Sequence, residues 1–255
     1  MITLGALGGE DGVRHAFFTR EGGVSEDVFA ALNCGFGSGD APDRVARNRA
    51  IATARLGLAA DRLATAYQCH SAAVAVVEEP WRHEAAPRAD GLVTRVPGIA
   101  LGILTADCAP ILFADPAVGV IGAAHAGWRG ALAGVLEATL VRMEELGAAR
   151  ERIRAGIGPC IGPLSYEVGP EFPAPFLAED RAARVFFAPA PRAGHFLFDL
   201  AGYTAHRLRR AGIGRVACAA RDTLGEEKCF FSYRRAALRG ERRYGRLLSA
   251  IALRD

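Results

Sequence analysis

The feature that most constrains this chain is the segment from residue 105 to 130, TADCAPILFADPAVGVIGAAHAGWRG. Two apolar runs, the second beginning at Val118, flank an Asp-Pro step, and such a step between short β-rich runs is a turn signal. The segment therefore predicts a β-hairpin with its turn centred near residues 116–117. Because antiparallel pairing keeps the sum of the paired residue numbers constant, this turn sets Cys108 opposite His125.

A thiol and an imidazole held together at one end of a hairpin have two chemical uses. They form part of a metal site, or they act as a nucleophile and its general base. After His125 the chain runs through Ala-Gly-Trp-Arg-Gly into a helical pattern. The unpaired amides at the start of that helix are expected close to the pair, where they suit an anion.

Composition bounds the class of protein. A chain of 255 residues, 51% of them hydrophobic, can bury a full core, and we predict one domain over residues 1–255. No apolar run approaches the ~20 residues of a membrane span, and the N-terminal MITLGALGGEDG lacks the features of a signal peptide. The formal net charge of +3 is too small to indicate nucleic-acid binding. We therefore expect a cytoplasmic protein without nucleic-acid or membrane partners.

Hydrophobic periodicity and capping residues predict helices over residues 43–56, 128–146 and 199–212. The proline-rich segment 172–195 is expected to be irregular surface chain. The six cysteines lack the regular spacing of a disulfide framework, so most are expected to be reduced. Among them, Cys160 is either a further thiol near the site or a buried, small apolar residue, and burial is the favoured interpretation.

Several polar residues at turns and strand ends are further candidates for a site. His70 lies in a polar tip that leads into a strand, and a lone histidine at the start of a strand is more often structural than a metal ligand. Asp107 comes at the end of an apolar strand, where functional residues tend to collect. Six arginines between positions 234 and 246 form either a solvated face or a contact with phosphate or a partner.

Taken together, these motifs resemble the YfiH family of purine nucleoside phosphorylases, whose members were formerly labelled polyphenol oxidases or laccases. The matching motifs occur in order over nearly the whole chain: TREGGVS, LNCG, RNR, QCH, ADGLVT, TADCAPILFAD, HAGWRG, IGPCIGPLSYEVG, FDL and FFSYRR. The resemblance implies an α/β (α+β) fold of mixed β-sheets covered by helices, similar to the catalytic domains of cysteine-dependent deamidase toxins. It also implies phosphorolysis of adenosine, inosine and methylthioadenosine, and deamination of adenosine.

The resemblance implies a zinc ion held by His70, Cys108 and His125. Three protein ligands leave the fourth position of zinc open, which is the pattern of catalytic rather than structural sites. Copper is a second candidate, because two histidines and a cysteine also bind Cu²⁺. The chain departs from the family at Cys69, where an aliphatic residue is more usual, and this second thiol could compete as a ligand.

The two implied reactions need different groups. In deamination, hydroxide supplied at the zinc would attack C6 of adenine, and a carboxylate must protonate the ring nitrogen and the leaving ammonia. Asp107 is the nearest carboxylate in sequence, although it could instead orient a metal ligand. Asp90 and Glu167 are the alternatives.

Phosphorolysis requires cations or amides for the phosphate and a donor for the departing purine. Arg49 and Arg129, together with the amides of residues 127–130, are the candidates for the phosphate. Asn33 and Tyr166 are candidates for contacts with the base or the ribose. The expected partners are therefore purine nucleosides and phosphate, and the sequence leaves the oligomeric state open.

Two other functions remain open. In the first, Cys108 is the nucleophile and His125 the base of a thiol hydrolase or deamidase. The second is copper-dependent oxidation of polyphenols, which needs several clustered copper ions. The four histidines outside the predicted site are scattered without metal-ligand spacing, so the chain looks short of ligands for such a cluster. A zinc-stabilised binding module would not explain an open coordination position.

Overall fold

The computed structural model of the chain describes residues 1–8 and 12–254. Part of the N-terminal segment MITLGALGGEDG, and the last residue of the predicted domain, lie outside the described residues. The helices are α1 (Pro42–Arg55), α2 (Trp128–Ala133), α3 (Val135–Glu145), α4 (Pro173–Glu179), α5 (Leu200–Arg210) and α6 (Tyr233–Leu238). In the described part of the chain, no helix combines the length and the apolar composition that crossing a bilayer requires.

The strands form two large sheets and one small sheet, which is the mixed α/β architecture that the sequence predicts. The four-stranded sheet has the order β1 (Val13–Phe17), β13 (Leu247–Leu253), β5 (Ala100–Thr105) and β2 (Leu63–Thr65). The six-stranded sheet has the order β12 (Arg215–Cys218), β8 (Arg154–Ile157), β6 (Ala109–Asp115), β7 (Val120–Ala126), β4 (Gly91–Thr94) and β3 (Val74–Val76). The small antiparallel sheet has the order β10 (Phe187–Pro189), β11 (Phe196–Phe198) and β9 (Glu167–Val168).

The two large sheets pack face to face because their strands bury apolar side chains on both faces. In β6, Ile111 packs with the helices α3 and α5, whereas the next residue, Leu112, packs with Ile251 of β13 between the sheets. In β13 the neighbouring Ala250 packs on the opposite face, against Ala52 of α1. The fold is therefore layered in the order helix, sheet, sheet, helix.

The predicted hairpin is present as β6 and β7, but its predicted register is wrong by two positions. The residue opposite His125 is Pro110 rather than Cys108. Because side chains alternate with a period of two, a shift of two positions keeps them on the same face of the sheet. Cys108, one position before β6 begins, therefore still lies beside His125.

The shift in register comes from the turn of this hairpin. Asp115 pairs with Val120, so the turn occupies residues 116–119. The turn ends at Gly119, whose φ of 61° lies in the left-handed region that favours glycine. Val118, which the prediction placed in the second strand, therefore belongs to the turn.

Two of the predicted helices are confirmed as α1 and α5, and the third is divided. In α5 the side chain of Asp199 accepts a hydrogen bond from the N–H of Gly202 at 2.8 Å, which is the predicted N-cap. The helix predicted over residues 128–146 is broken at Gly134, whose φ is 91°. A left-handed residue ends one helix, so α2 and α3 are separate elements.

The segment 172–195, predicted to be irregular, is folded. Pro173 is the first residue of α4, a position where its missing N–H costs no helical hydrogen bond. The rings of Phe172 and Phe176 stack with centroids 5.3 Å apart, and Phe198 lies 5.0 Å from Phe176. The recurring phenylalanines therefore indicate that this segment packs into a core, a pattern that the prediction overlooked because of the prolines. Cys160 is buried, as predicted.

We expect Asp199→Ala to lower the free energy of unfolding by about 1 kcal/mol, because it removes the N-cap of α5 and leaves a backbone N–H unpaired. Urea denaturation monitored by circular dichroism measures the change. Asp61→Ala, at an exposed aspartate, is the matched control and should stay within about 0.5 kcal/mol of the parent protein. Equal stabilities for the two variants would contradict the capping role.

Candidate metal centre

The three predicted metal ligands converge at one end of the hairpin. The ligand atoms of His70, Cys108 and His125 lie within 4.8 Å of one another. Sγ of Cys108 lies 3.9 Å from Nε2 of His70. His125 is buried, Cys108 is half-buried and His70 is exposed, so the cluster opens to solvent on the side of His70.

Separate elements bring these ligands together. His125 lies in β7, Cys108 directly precedes β6, and His70 lies in the loop between β2 and β3 with a φ of 61°. Gly127 packs against the cluster, since a β-carbon at this position would lie 2.8 Å from Sγ of Cys108. No larger residue fits there without displacing a ligand, which explains the first glycine of the HAGWRG motif.

Asp90 orients two of the ligands. Its buried carboxylate accepts a hydrogen bond from Nδ1 of His125 at 2.8 Å. It also accepts from the backbone N–H groups of Cys69 at 3.1 Å, His70 at 3.0 Å and Ser71 at 2.7 Å. Because Nδ1 of His125 is engaged, Nε2 is the nitrogen available to a metal.

The sequence predicted Asp90 only as an alternative proton donor for deamination. The role of orienting a metal ligand was predicted for Asp107 instead. The structure explains why, because Asp90 reaches the cluster through the pairing of β4 with β7. Gly91 lies opposite Ala124 in that pairing, and the backbone oxygen of Asp90 accepts the N–H of His125 at 2.7 Å. The sequence does show that Asp90 directly precedes a short β-rich run. It does not show that this strand, β4, pairs with β7, which carries His125.

The electrostatics of the cluster favour a thiolate on Cys108 and a protonated His125. Burial disfavours the thiolate of Cys108, but the charge and hydrogen bond of His125 outweigh it and lower the pKa of Cys108 to about 6. Burial likewise opposes ionisation of Asp90, yet the hydrogen bonds from His125 and Ser71 hold the pKa of Asp90 well below its usual range. Burial opposes a charge on His125, but the charge of Cys108 and the hydrogen bond to Asp90 outweigh it and raise the pKa of His125 to about 9. The thiolate is a metal-binding form, whereas a metal must displace the proton of His125.

The donor set fits a metal ion. Two imidazole nitrogens and a thiolate suit zinc and also accept copper. Within residues 1–8 and 12–254, the cluster contains three ligand residues, which leaves a coordination position for water or substrate. The thiol of Cys69 lies 3.6 Å from Oδ2 of Asp90, so it faces the orienting carboxylate.

Asp107 adjoins Cys108 in sequence, but its carboxylate has other partners. It accepts hydrogen bonds from Oγ1 of Thr223 at 2.6 Å, Oγ of Ser232 at 2.9 Å and the N–H of Arg234 at 2.6 Å. Burial raises the pKa of Asp107, against the effect of these hydrogen bonds. The carboxylate thus ties the end of β5 to the start of α6, and its catalytic role stays a prediction.

Arg129 and Tyr166 lie around the cluster. Arg129 is exposed, and its guanidinium carbon lies 4.5 Å from the ring centroid of Trp128, the residue after Gly127. Tyr166 is half-buried, and burial together with the charge of Cys108 raises the pKa of its phenol. The structure therefore brings these two predicted residues to the vicinity of the ligands.

Asn33 uses its amide to organise its own loop. The amide nitrogen donates to Oγ of Ser38 at 2.8 Å and to Oδ2 of Asp40 at 3.0 Å. The amide oxygen accepts from the N–H groups of Gly35 at 3.1 Å and Arg246 at 2.9 Å. These contacts engage both ends of the amide, and a substrate contact by Asn33 stays a prediction.

Arg49 is a buried arginine with an incomplete set of partners. It donates through Nε to the carbonyl of Cys34 at 2.8 Å and through Nη1 to Thr65 at 3.1 Å. Its Nη2 is buried and has no hydrogen-bond partner among the residues that the structure describes. Burial lowers the pKa of Arg49 to about 10. Phosphate binding by Arg49 stays a prediction.

Fold and cluster together define a mixed α/β protein with a candidate three-ligand metal centre of the open type. Residues 14–254 match the model of the family described as multi-copper polyphenol oxidoreductase laccase. The chain belongs to this family, and the family predicted from its motifs is thereby confirmed.

Individual relatives agree with this assignment. The chain is 44% identical over 225 residues to a protein of Deinococcus radiodurans named purine nucleoside phosphorylase, covering 88% of this chain and 85% of that protein. It is 39% identical over 244 residues to a similarly named protein of Pseudomonas aeruginosa, covering 95% and 94%. The solved structure of the hypothetical protein YfiH of Bacillus licheniformis superposes with a TM-score of 0.87 at 31% identity, over 95% of this chain and 93% of that one.

Proposed function

We propose that this protein is a zinc-dependent purine nucleoside phosphorylase that cleaves adenosine, inosine and methylthioadenosine with phosphate, and that it also deaminates adenosine. The observation that carries the proposal is the convergence of His70, Cys108 and His125 into one open cluster. The names of the relatives from Deinococcus radiodurans and Pseudomonas aeruginosa support the reaction class. Copper is the second candidate metal, in keeping with the description of the family.

In the proposed phosphorolysis, a phosphate oxygen attacks C1′ of the ribose while the bond from C1′ to the purine nitrogen breaks. The purine leaves with a proton, and ribose 1-phosphate forms. His70, Cys108 and His125 would hold the metal, which supplies Lewis-acid activation of a substrate or water oxygen. Asp90 keeps the two histidines in orientation through its hydrogen bonds.

The surrounding residues bind and position the substrates. The exposed guanidinium of Arg129 attracts the phosphate. The amides of residues 127–130 contribute less than the sequence suggested, because α2 has only six residues and a short helix has a small dipole. Tyr166, kept protonated by its raised pKa, donates to the ribose or the base.

The two remaining candidates for substrate contacts, Arg49 and Asn33, differ in whether they have hydrogen-bonding groups free for a substrate. Nη2 of Arg49 has no partner within the described residues and can meet a phosphate oxygen, whereas the amide of Asn33 is engaged within its loop. For deamination, Asp90 and Asp107 are engaged by several hydrogen bonds each. We therefore infer that Glu167, next to Tyr166, protonates the ring nitrogen.

Product analysis of metal-quantified protein incubated with adenosine tests the proposal. With phosphate we expect adenine and ribose 1-phosphate, and without phosphate we expect inosine from deamination. Removal of the metal by chelation should abolish both products, because the open coordination position is lost. Zinc added back should restore them, with copper added back as the control for metal identity. Adenosine left unchanged by fully zinc-loaded protein would contradict the proposal.

A second candidate function is a thiol hydrolase or deamidase, with Cys108 as nucleophile, His125 as base and a fold related to the deamidase toxins. It is favoured by the lowered pKa of Cys108 and by the hydrogen bond from His125 to Asp90, an order of groups that activates a thiol. The chelation step separates the two candidates. Metal removal frees the thiolate of a hydrolase, whereas it inactivates the phosphorylase.

We also infer that the protein is cytoplasmic and forms one domain. Its six cysteines are free thiols, which suits a reducing compartment. The two large sheets share one apolar core, which supports one domain. Copper-dependent polyphenol oxidation is less well supported, since one three-ligand cluster is found among residues 1–8 and 12–254 and several copper ions are needed.

A further inference from the structure

The arginines of the FFSYRR segment differ in their partners. Arg235 is buried and donates to backbone carbonyls, and Arg239 is paired with Glu227 at 2.6 Å. Arg234, half-exposed in the first turn of α6, is paired with no carboxylate in the described part of the chain. Its guanidinium donates through Nη1 to the backbone oxygen of Glu167 at 2.8 Å, which leaves its other N–H groups available.

Two contacts hold Arg234 beside the metal ligands. Its backbone N–H donates to Oδ2 of Asp107 at 2.6 Å, and Asp107 directly precedes Cys108. Its guanidinium carbon lies 5.3 Å from the ring centroid of Tyr166. The charges of Cys108 and Arg234 both act on the phenol of Tyr166, whose pKa is raised chiefly by burial. The guanidinium therefore lies near the cluster and is held in place at two points.

Arg129 reaches the same region from another element. Gly127 packs against the cluster, and the ring of Trp128 carries the guanidinium of Arg129. The ring of Trp128 lies 4.9 Å from that of Phe172, which in turn lies 6.0 Å from Tyr166. Arg129 also has no carboxylate partner among residues 1–8 and 12–254. Two guanidinium groups without carboxylates therefore lie around one neutral phenol.

We propose, on the basis of the proposed phosphorolysis, that Arg234 binds the phosphate co-substrate together with Arg129. Two guanidinium groups that have no carboxylate partners repel each other, and an anion bound between them offsets that repulsion. Guanidinium groups form paired, charge-assisted hydrogen bonds to phosphate oxygens. Arg234 holds non-attacking oxygens of the phosphate, so a remaining oxygen is directed at C1′ of the ribose. The contact persists to the product, ribose 1-phosphate.

Steady-state kinetics of the zinc-loaded protein test this assignment with the variants Arg234→Ala and Arg234→Lys. We expect Arg234→Ala to raise the KM for phosphate by about 10–100-fold, the effect of losing hydrogen bonds to a charged group, with a smaller change in the KM for the nucleoside. Arg234→Lys should raise the KM for phosphate less than Arg234→Ala does, because lysine keeps the positive charge but lacks the paired N–H donors of a guanidinium group. Arg239→Ala, at an exposed arginine directly after the C-terminal end of α6, is the matched control and should leave both KM values unchanged.

The outcomes separate this inference from the proposed function. An unchanged KM for phosphate in Arg234→Ala, beside an active wild type, overturns the assignment and leaves the phosphorylase proposal in place. If the wild type lacks phosphorolysis, calorimetric titration with inorganic phosphate still tests whether Arg234 binds phosphate. Weaker phosphate binding by Arg234→Lys than by wild type then supports the site, and equal binding overturns it. Metal content and melting temperature identify a variant that fails to fold, in which case Arg234→Lys carries the test.

Discussion

Replacement of His70 by alanine is expected to remove the bound metal and to lower phosphate-dependent cleavage of adenosine at least about 100-fold. Losing a direct ligand should exceed the ~10–100-fold effect of losing a group that only orients a ligand. The fold should persist, because the His70 side chain is exposed and alanine keeps the β-carbon already present at its φ of 61°. Metal content by mass spectrometry and product formation by chromatography measure the two effects.

The control for this variant is His195→Ala. His195 lies outside the cluster, and its ring nitrogen contacts only the backbone oxygen of Ala193, at 3.3 Å, among the described residues. This variant should retain the metal content and activity of the parent protein. A His70→Ala protein that keeps a full complement of zinc and the parental rate would show that His70 is not a ligand.

Asp90→Asn is expected to weaken metal binding by about 10–100-fold and to lower the free energy of unfolding by about 1–3 kcal/mol. The asparagine amide would turn a donor toward groups that themselves donate, including the N–H of Ser71 and Nδ1 of His125. Competition with a chelator measures the metal affinity, and urea denaturation of the metal-free protein measures the stability.

Asp115→Asn is the matched control for this change. Asp115 is equally buried, but it lies at the opposite end of the hairpin, where it accepts from the N–H of Ala149 at 2.9 Å and pairs with Arg152 at 2.8 Å. We expect it to lower stability without changing the metal affinity. If both variants lost metal affinity equally, the effect of Asp90 would be one of general stability rather than orientation.

The sequence predicted secondary-structure elements correctly where the residues that define an element are neighbours in the chain. The apolar runs around the Asp-Pro step predicted the hairpin, and Asp199 predicted the start of α5. The errors fall at Gly119 and Gly134, whose positive φ values set the length of the turn and the break between α2 and α3. Glycine adopts either sign of φ at little cost, so its conformation depends on the packing around it.

The sequence by itself determined the family and the three candidate ligands, because each ligand lies within a short contiguous motif. Only the tertiary structure decided that Asp90 orients His125 and that Arg234 lies beside Asp107 and Tyr166. These contacts join residues 35 and 127 positions apart in the chain, for Asp90 with His125 and for Asp107 with Arg234. The physical reason is that strand register and loop packing bring such residues together, and many partners are compatible with the local sequence of each.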